Sequence, residues 1–330
     1  MLGGLERPLR HETWIHLEDM MRALVTGGAG FIGSNLVEAL LAQGHEVRVI
    51  DNFATGHRRN LESFLGDVEL VEGDLQSYER AHNAVRGMEV VFHQAALPSV
   101  PRSVQDPLTT NAVNITGTLN VLLSARDEGV RRVVYAASSS AYGNSPVNPR
   151  REDATPEPLA PYAVAKLAGE HYCRAFANVY GMGTVSLRYF NVFGPRQDPN
   201  SQYSAVIPRF IRALAEGEKL VVFGDGEQTR DFTYVDNVVA ANLLAATAPI
   251  GNGDVFNIAC GESVTVNALV DELADITGRA GDREYLPARA ADVKDSEADI
   301  SRARHTLGYE PTVRLREGLE KTVAWFMSRR

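Results

Sequence analysis

Tyr162 and Lys166 stand four residues apart in a stretch of helical pattern, so their side chains share one face. A lysine ammonium beside a phenol favours the phenolate and lowers a pKa that starts near about 10. A second cation held beside the phenol would lower it further. The product is a general base near neutral pH, able to take a proton from a hydroxyl as hydride leaves the same carbon. The 33 basic residues comprise 29 arginines and only 4 lysines: Lys166, Lys219, Lys294 and Lys321. With 11 tyrosines in 330 residues, Tyr-x-x-x-Lys arises by chance roughly 0.13 times. The competing reading is a surface lysine beside a half-buried tyrosine.

Upstream, Ser138, Ser139 and Ser140 follow the apolar run RRVVYAA. A serine beyond the carboxyl end of a strand can hydrogen-bond a substrate hydroxyl and relay its proton to Tyr162. The plainer reading is a serine-rich turn capping a helix. Residues 26–33 read TGGAGFIG, with Gly27, Gly30 and Gly33 between a strand and a helix. Gly27 permits a tight turn, Gly30 lets backbone approach a pyrophosphate, and Gly33 allows close packing of helix on sheet. Asp51 ends the next strand, where a carboxylate binds both adenosine ribose hydroxyls and repels a 2′-phosphate. NAD is therefore favoured over NADP.

These residues need a scaffold of alternating strands and helices. From Arg22 onward, strands are expected at Arg22–Thr26, Val47–Asp51, Glu69–Val71, Val90–His93, Val133–Ala137 and Val185–Arg188. Helices are expected at Phe31–Gln43, Tyr78–Arg86, Pro107–Glu128, Tyr162–Tyr180 and, at the end, Leu315–Met327. After Arg188 the pattern turns irregular, although Arg230–Thr247 and Val255–Ile258 still read as a helix and a strand of the same sheet. The expected fold is α/β, a doubly wound parallel sheet of Rossmann type with a smaller interleaved C-terminal substrate-binding lobe. Its cofactor domain takes residues 21–188 plus about 232–258, and its substrate domain about 189–231 plus 259–330. Residues 1–20 are expected to form an N-terminal extension outside the fold.

Composition excludes other classes. The chain is 44% hydrophobic and 23% charged, as globular chains are, and carries a net charge of -9. That acidity offers no global attraction to nucleic acid or an anionic membrane. No run reaches the roughly 18 apolar residues a membrane span needs. Cys173 and Cys260 cannot build a disulfide framework and fit a reducing, cytoplasmic compartment; Cys173 reads as a buried packing thiol. The eight histidines lack metal-ligand spacing, so no metal is expected. The arginine pairs at 131–132, 150–151 and 329–330 read as solvated faces.

TGGAGFIG, VFHQAA (91–96), YAASSSAYG (135–143), PYAVAK (161–166), RYFNVFGPRQDP (188–199) and GDGEQTRDFTYVDN (224–237) together resemble the extended short-chain dehydrogenase/reductase superfamily. Within it, the chain is similar to nucleotide-sugar 4-epimerases of the UDP-glucose/UDP-N-acetylglucosamine type, from about Arg22 to the C-terminus. The resemblance implies bound NAD as hydride acceptor, transient oxidation at sugar C4, and rotation of the 4-keto sugar about its diphosphate link. Ser138, Tyr162 and Lys166 are the implied catalytic set. The implied cofactor contacts are Gly27, Gly30, Phe31, Ile32 and Gly33, then Asp51 with Asn52. The adenine-flanking pair Asp74 and Leu75, the pair Ala95 and Ala96, and Asn114 complete them, together with Tyr162 and Lys166.

On the substrate side the resemblance implies Ser99, Ser138, Ser139 and Ser140 near the sugar. It places Asn191 and Arg230 at the diphosphate, and Arg289 and Asp292 at the nucleotide. Ser296 matches a gate that is bulky in glucose-only relatives and small in those admitting an N-acetyl group. Dehydratase relatives carry an Asp-Glu pair, and sugar-acid decarboxylases a Glu, where Ser139 and Ser140 stand here, which disfavours both chemistries. UDP-GlcNAc/UDP-GalNAc are the expected substrates, with UDP-glucose/UDP-galactose also accepted, and a homodimer is implied. The alternatives are a UDP-glucuronate 4-epimerase and a catalytically silent NAD-sensing protein, which would need the glycine loop but not the base.

Overall fold

A computed structural model describes residues 20–199, 205–288 and 293–329. Seven strands form the main sheet; the central ones are buried on both faces, which is why they read as near-continuous apolar runs, whereas the edge strand Val68–Glu72 has no fully buried residue. The seven are β1 (Arg22–Thr26), β2 (Glu46–Asp51), β3 (Val68–Glu72), β4 (Val90–His93), β5 (Arg132–Ser138), β6 (Thr184–Tyr189) and β7 (Asn252–Ile258). All pair in parallel, in the order β3-β2-β1-β4-β5-β6-β7. The chain winds outward from β1 to β3, then crosses back to β4. A crevice opens at that reversal, beyond the carboxyl ends of β1 and β4.

Two apolar cores flank the sheet. Leu36, Val37 and Leu40 of helix Phe31–Ala42 pack into one with Val238 and Val239 of helix Val235–Thr247. Helices Tyr78–Val85, Gly117–Asp127 and Pro161–Tyr180 cover the other face, where Cys173 is fully buried and burial pushes its thiol up to about 12. Helix Pro161–Tyr180 opens on a proline, whose missing N–H costs nothing there, and stops at left-handed Gly181. The long helix expected at Pro107–Glu128 forms as Pro107–Asn111, a π turn over Ala112–Thr116, and Gly117–Asp127.

Two expectations need correction. The helix read from Arg230 begins only at Val235, because Thr229–Arg230 and Thr233–Tyr234 are short strands. Extended backbone there pairs Arg230 with Val264, and Asp231 N–H with the Ser296 carbonyl. The arginine pairs are also not wholly solvated: Arg132 and Arg150 are 7% and 5% exposed, with guanidiniums turned inward onto backbone carbonyls. Arg131 and Arg151 beside them are exposed, as is Arg329, while Arg330 lies outside the described residues.

The region read as irregular holds helices Val206–Glu216, Val266–Thr277 and Ser301–Leu307, and a parallel pair, Leu220–Phe223 with Arg283–Leu286. Leu315–Met327 closes the chain as expected. Of the N-terminal stretch 1–20, only Met20 is among the described residues. Among those residues no helix is long and apolar enough to cross a membrane, and no cluster of three metal-ligating side chains occurs.

Candidate active site

The glycine loop leaves β1 and turns into helix Phe31–Ala42. Gly27 has φ +68, and a Cβ there would lie 2.7 Å from Ala95 Cα. A Cβ at Gly33 would overlap the Gly27 carbonyl oxygen, and one at Gly30 would approach it to 3.1 Å. Helix, loop and the β4 exit therefore touch backbone to backbone. Gly28, which the glycine spacing did not single out, is equally constrained: its Cβ would meet Val49 Cγ1 at 2.6 Å. Phe31 and Ile32 follow as the first helical residues, both half-buried.

Asp51 is buried at the end of β2. Its two carboxylate oxygens accept from Ala29 N–H at 2.9 Å and Phe53 N–H at 2.8 Å. Burial raises its pKa while these two bonds oppose the rise. The carboxylate thus holds the glycine loop as well as ending the strand, and keeps acceptor capacity for further donors. Asn52 donates to Asp74 Oδ2 at 3.0 Å, and Leu75 lies buried beside it, so this group gathers past the ends of β2 and β3. Ala95 N–H donates to Thr26 Oγ1 at 3.2 Å, and Ala96 is half-buried next to it. Asn114, on the π turn, clasps Leu97 in both directions, accepting its N–H at 2.8 Å and donating to its carbonyl at 3.1 Å. Both polar groups of Asn114 are thereby engaged in holding the β4 exit.

Past β5 the three serines converge with the helix. Ser140 Oγ donates to Ser138 Oγ at 2.9 Å and Ser140 N–H to the same oxygen at 3.2 Å. Tyr162 lines the same space as Ser138, whose hydroxyl bears on its phenol. Burial pushes the Tyr162 phenol up, and the Ser138 hydroxyl opposes this. Lys166 is buried, donates to the Ala136 carbonyl at 2.7 Å and lies 5.2 Å above the Tyr135 ring. Desolvation pulls its ammonium down to about 8. The chain's own groups thus raise the phenol, contrary to the lowering expected from Lys166, because burial outweighs the hydroxyl.

Ser138, Ser139, Ser140, Tyr162, Asn191 and Arg230 line one cleft of about 400 Å³. Ile32 and Ser296 reach the same cleft. Asn191, at φ +32, donates to the Asp231 carbonyl at 3.0 Å, and Arg230 donates to those of Thr229 and Lys294. Ser99 does not line the cleft: its hydroxyl caps helix Val100–Gln105, and Val100 faces the space instead. Arg289 and Asp292 lie outside the described residues. Arg150 also lines the cleft, and its place beside an exposed arginine in a proline-rich loop gave no sign of this.

Residues 23–259 match the model of the "NAD dependent epimerase/dehydratase family". The chain belongs to the NAD dependent epimerase/dehydratase family. It is 40% identical to the UDP-glucose 4-epimerase of Mycolicibacterium smegmatis, over 94% of this chain and 99% of the relative. Among solved structures, UDP-N-acetylglucosamine 4-epimerase from Methanobrevibacter ruminantium M1, in complex with UDP-N-acetylmuramic acid, superimposes with a TM-score of 0.90 at 40% identity. The match covers 94% of this chain and 99% of that one. UDP-glucose 4-epimerase from Thermus thermophilus, in complex with NAD, gives 0.87 at 37%, covering 94% and 100%.

NAD is the cofactor of this family, and the residues present fit it. In the loop of Gly27, Gly30 and Gly33 a Cβ at the first or third glycine would collide with backbone and one at Gly30 would crowd it, so the loop is free of side chains where it enters the helix. Asp51 adds a carboxylate with acceptor capacity at the strand end, the chemistry that hydroxyl donors such as those of a ribose require.

Proposed function

We propose that the chain is an NAD-dependent 4-epimerase of UDP-hexoses, acting on UDP-GlcNAc/UDP-GalNAc and accepting UDP-glucose/UDP-galactose. The observation that carries this reading is one cleft shared by the Ser140–Ser138 hydroxyl pair, the Tyr162 phenol, with Lys166 one helical turn on, and Arg230. Only serines stand beside Ser138, so no acid is at hand there for eliminating water.

The cofactor would be held by Gly27, Gly30, Phe31, Ile32 and Gly33, by Asp51 and Asn52, and by Asp74 and Leu75. Ala95, Ala96, Asn114, Tyr162 and Lys166 complete its surroundings. When bound, NAD supplies reversible oxidation at C4, and its positive ring favours the phenolate. Tyr162 then removes the 4-hydroxyl proton. Ser138 accepts from Ser140, which leaves the Ser138 proton to donate toward Tyr162 or the substrate oxygen. Lys166 adds positive charge under the phenolate. Asn191 and Arg230 would hold the diphosphate while the 4-keto sugar turns about it, so that C4 takes its hydride back on the other face as Tyr162 returns the proton to the C4 oxygen. Outside the described residues, Arg289 and Asp292 are assigned to the nucleotide.

Ser296 is small at the gate, which admits an N-acetyl group without excluding a hydroxyl. The neutral sugars are favoured over a uronate because Arg150, a cation of the cleft, already directs its N–H groups at the carbonyls of Gly143, Ser145, Val147 and Asp295.

The cofactor domain of this reading spans 21–188 and about 232–258, with the sugar-nucleotide lobe formed by the rest. The working unit is a cytoplasmic homodimer. Val104, Leu108, Val164 and Val179, exposed by 49–83% on helices that pack side by side, are the apolar surface that supports it.

The test is interconversion of UDP-GlcNAc with UDP-GalNAc and of UDP-glucose with UDP-galactose. Tyr162→Phe should lower kcat by about 10²–10⁴-fold with bound NAD retained. Ser296→Tyr should abolish turnover of the acetylated pair and spare the other. Turnover of UDP-glucuronate alone, or an active Tyr162→Phe, would overturn the reading.

A further inference from the structure

Among the described residues that line the cleft, Arg150 is the buried charge to which the proposed chemistry gives no catalytic or binding task. Its guanidinium sits between two chain segments. On one side Nη1 donates to the carbonyls of Ser145 and, at 3.0 Å, Val147, and Nη2 reaches Gly143 at 3.5 Å. On the other side Nη2 donates to the Asp295 carbonyl at 3.3 Å. These partners are all backbone oxygens, so the contact depends on the shape of the guanidinium fork rather than on a carboxylate that could move with it.

The backbone of Arg150 repeats the link. Its N–H donates to the Glu297 carbonyl at 2.7 Å, and its carbonyl accepts from Asp299 N–H at 2.9 Å, forming a parallel bridge opposite Ala298. Asn257 Nδ2, from β7, donates to the same carbonyl at 2.9 Å and to that of Asp299 at 3.1 Å. Asn148 Oδ1 accepts from Glu297 N–H at 3.4 Å.

The two segments so joined are two walls of the cleft. Gly143 directly follows the turn Ser139–Tyr142, and a Cβ on it would collide with the Glu157 carbonyl, so that wall cannot slide. Ser296, between the bonded residues Asp295 and Glu297, belongs to the other wall. Its own carbonyl is held from below by Asp231 N–H at 2.8 Å. Both walls line the same space.

We propose that Arg150 is a positioning residue for substrate selection: it sets the separation between the serine turn at 138–143 and the Ser296 segment, and with it the width of the sugar end of the cleft. The inference rests on the 4-epimerase reading of the site. It makes selection between acetylated and plain hexoses depend on the spacing of the gate as well as on the size of the side chain at 296.

The test compares wild type, Arg150→Met and Arg150→Lys, each with its NAD content measured. The readouts are kcat and KM for UDP-GlcNAc and for UDP-glucose. Methionine keeps the apolar stem and removes the fork; lysine keeps the charge but has fewer donors in a different geometry. Arg150→Met should retain NAD, raise KM by about tenfold with a smaller change in kcat, and shift the ratio of kcat/KM between the two sugars by about fivefold or more. Arg150→Lys should fall between it and wild type. A purely structural role would lower thermal stability and scale both sugars equally; an unchanged ratio in Arg150→Met overturns the proposal. If Arg150→Met does not fold, Arg150→Lys and Asn148→Ala, which loosens the same segment, carry the test, and an unchanged ratio in both overturns it. Absence of turnover of either sugar by wild type with NAD bound would instead count against the 4-epimerase reading.

Discussion

At the scale of single residues, the site places its charges where they are expensive. Lys166 is 4% exposed, and desolvation lowers its pKa from 10.5 to about 8. A group whose folded pKa lies below its unfolded value holds fewer protons when folded, so its charged form opposes folding. That penalty is full below pH about 8 and fades between about 8 and 10.5. NAD-free Lys166→Met should therefore be more stable than wild type by about 1–3 kcal/mol at pH 7, while losing turnover. The gain should shrink as pH approaches 10. Denaturant melts at pH 7 and pH 10 check this, and a variant less stable at pH 7 would show that the Ala136 bond outweighs desolvation. Tyr162 and Lys166 were legible in the sequence because their relation is local, one turn of one helix. Arg150 was not: its acceptors at 143–147 and 295 are backbone oxygens, and only the folded chain brings them to one side chain.

At the scale of elements, the parallel sheet was readable because strands buried on both faces leave unbroken apolar runs. The expected strands and helices of the first 190 residues recur to within a residue or two at each end. Beyond Arg188, β7 apart, the strands shrink to two or four residues, too short for a period to show, and the helix expected from Arg230 lost its first turn to strand pairing. Helix Val206–Glu216 was missed for another reason: Pro208 stands in its first turn, where proline is tolerated and yet reads as a breaker.

The glycine loop shows what an element boundary can demand. Gly33→Ala would drive a methyl group into the Gly27 carbonyl, and neither backbone can yield without lifting helix Phe31–Ala42 off β1. The variant should lose NAD on gel filtration and fall in stability by about 1–3 kcal/mol. Gly66→Ala, with nothing within 4 Å of its Cβ, is the matched control. Equal NAD content in the two proteins would remove the close-packing role assigned to Gly33.

At the scale of the whole molecule, the chain leaves the sheet after β6, returns through helix Val235–Thr247 to add β7, and departs again. Asp231, fully buried, is where these passages are tied. Its Oδ1 accepts from Cys260 N–H at 2.9 Å, just past β7, and its Oδ2 accepts from Gly261 N–H at 3.0 Å and Ala298 N–H at 3.3 Å. Its own N–H holds the Ser296 carbonyl, and its carbonyl accepts from the Asn191 side chain at 3.0 Å. One residue, through its carboxylate on one side and its backbone on the other, thus links the sheet edge to both Asn191 and Ser296, which line the cleft, while standing far from the glycine loop in the sequence. Burial raises its pKa to about 7, so the three backbone donors only partly repay the desolvation. An amide in its place keeps the volume but offers one acceptor oxygen, and turns an NH2 group toward N–H groups that need acceptors. Asp231→Asn should accordingly lose about 1–3 kcal/mol of stability. Because Asn191 and Ser296 shift together, KM for the sugar nucleotide should rise while NAD content stays near wild type. Melting temperature, NAD stoichiometry and KM, taken on one preparation, decide the matter. Loss of NAD in step with KM would mean that Asp231 supports the fold as a whole rather than the substrate side of the cleft.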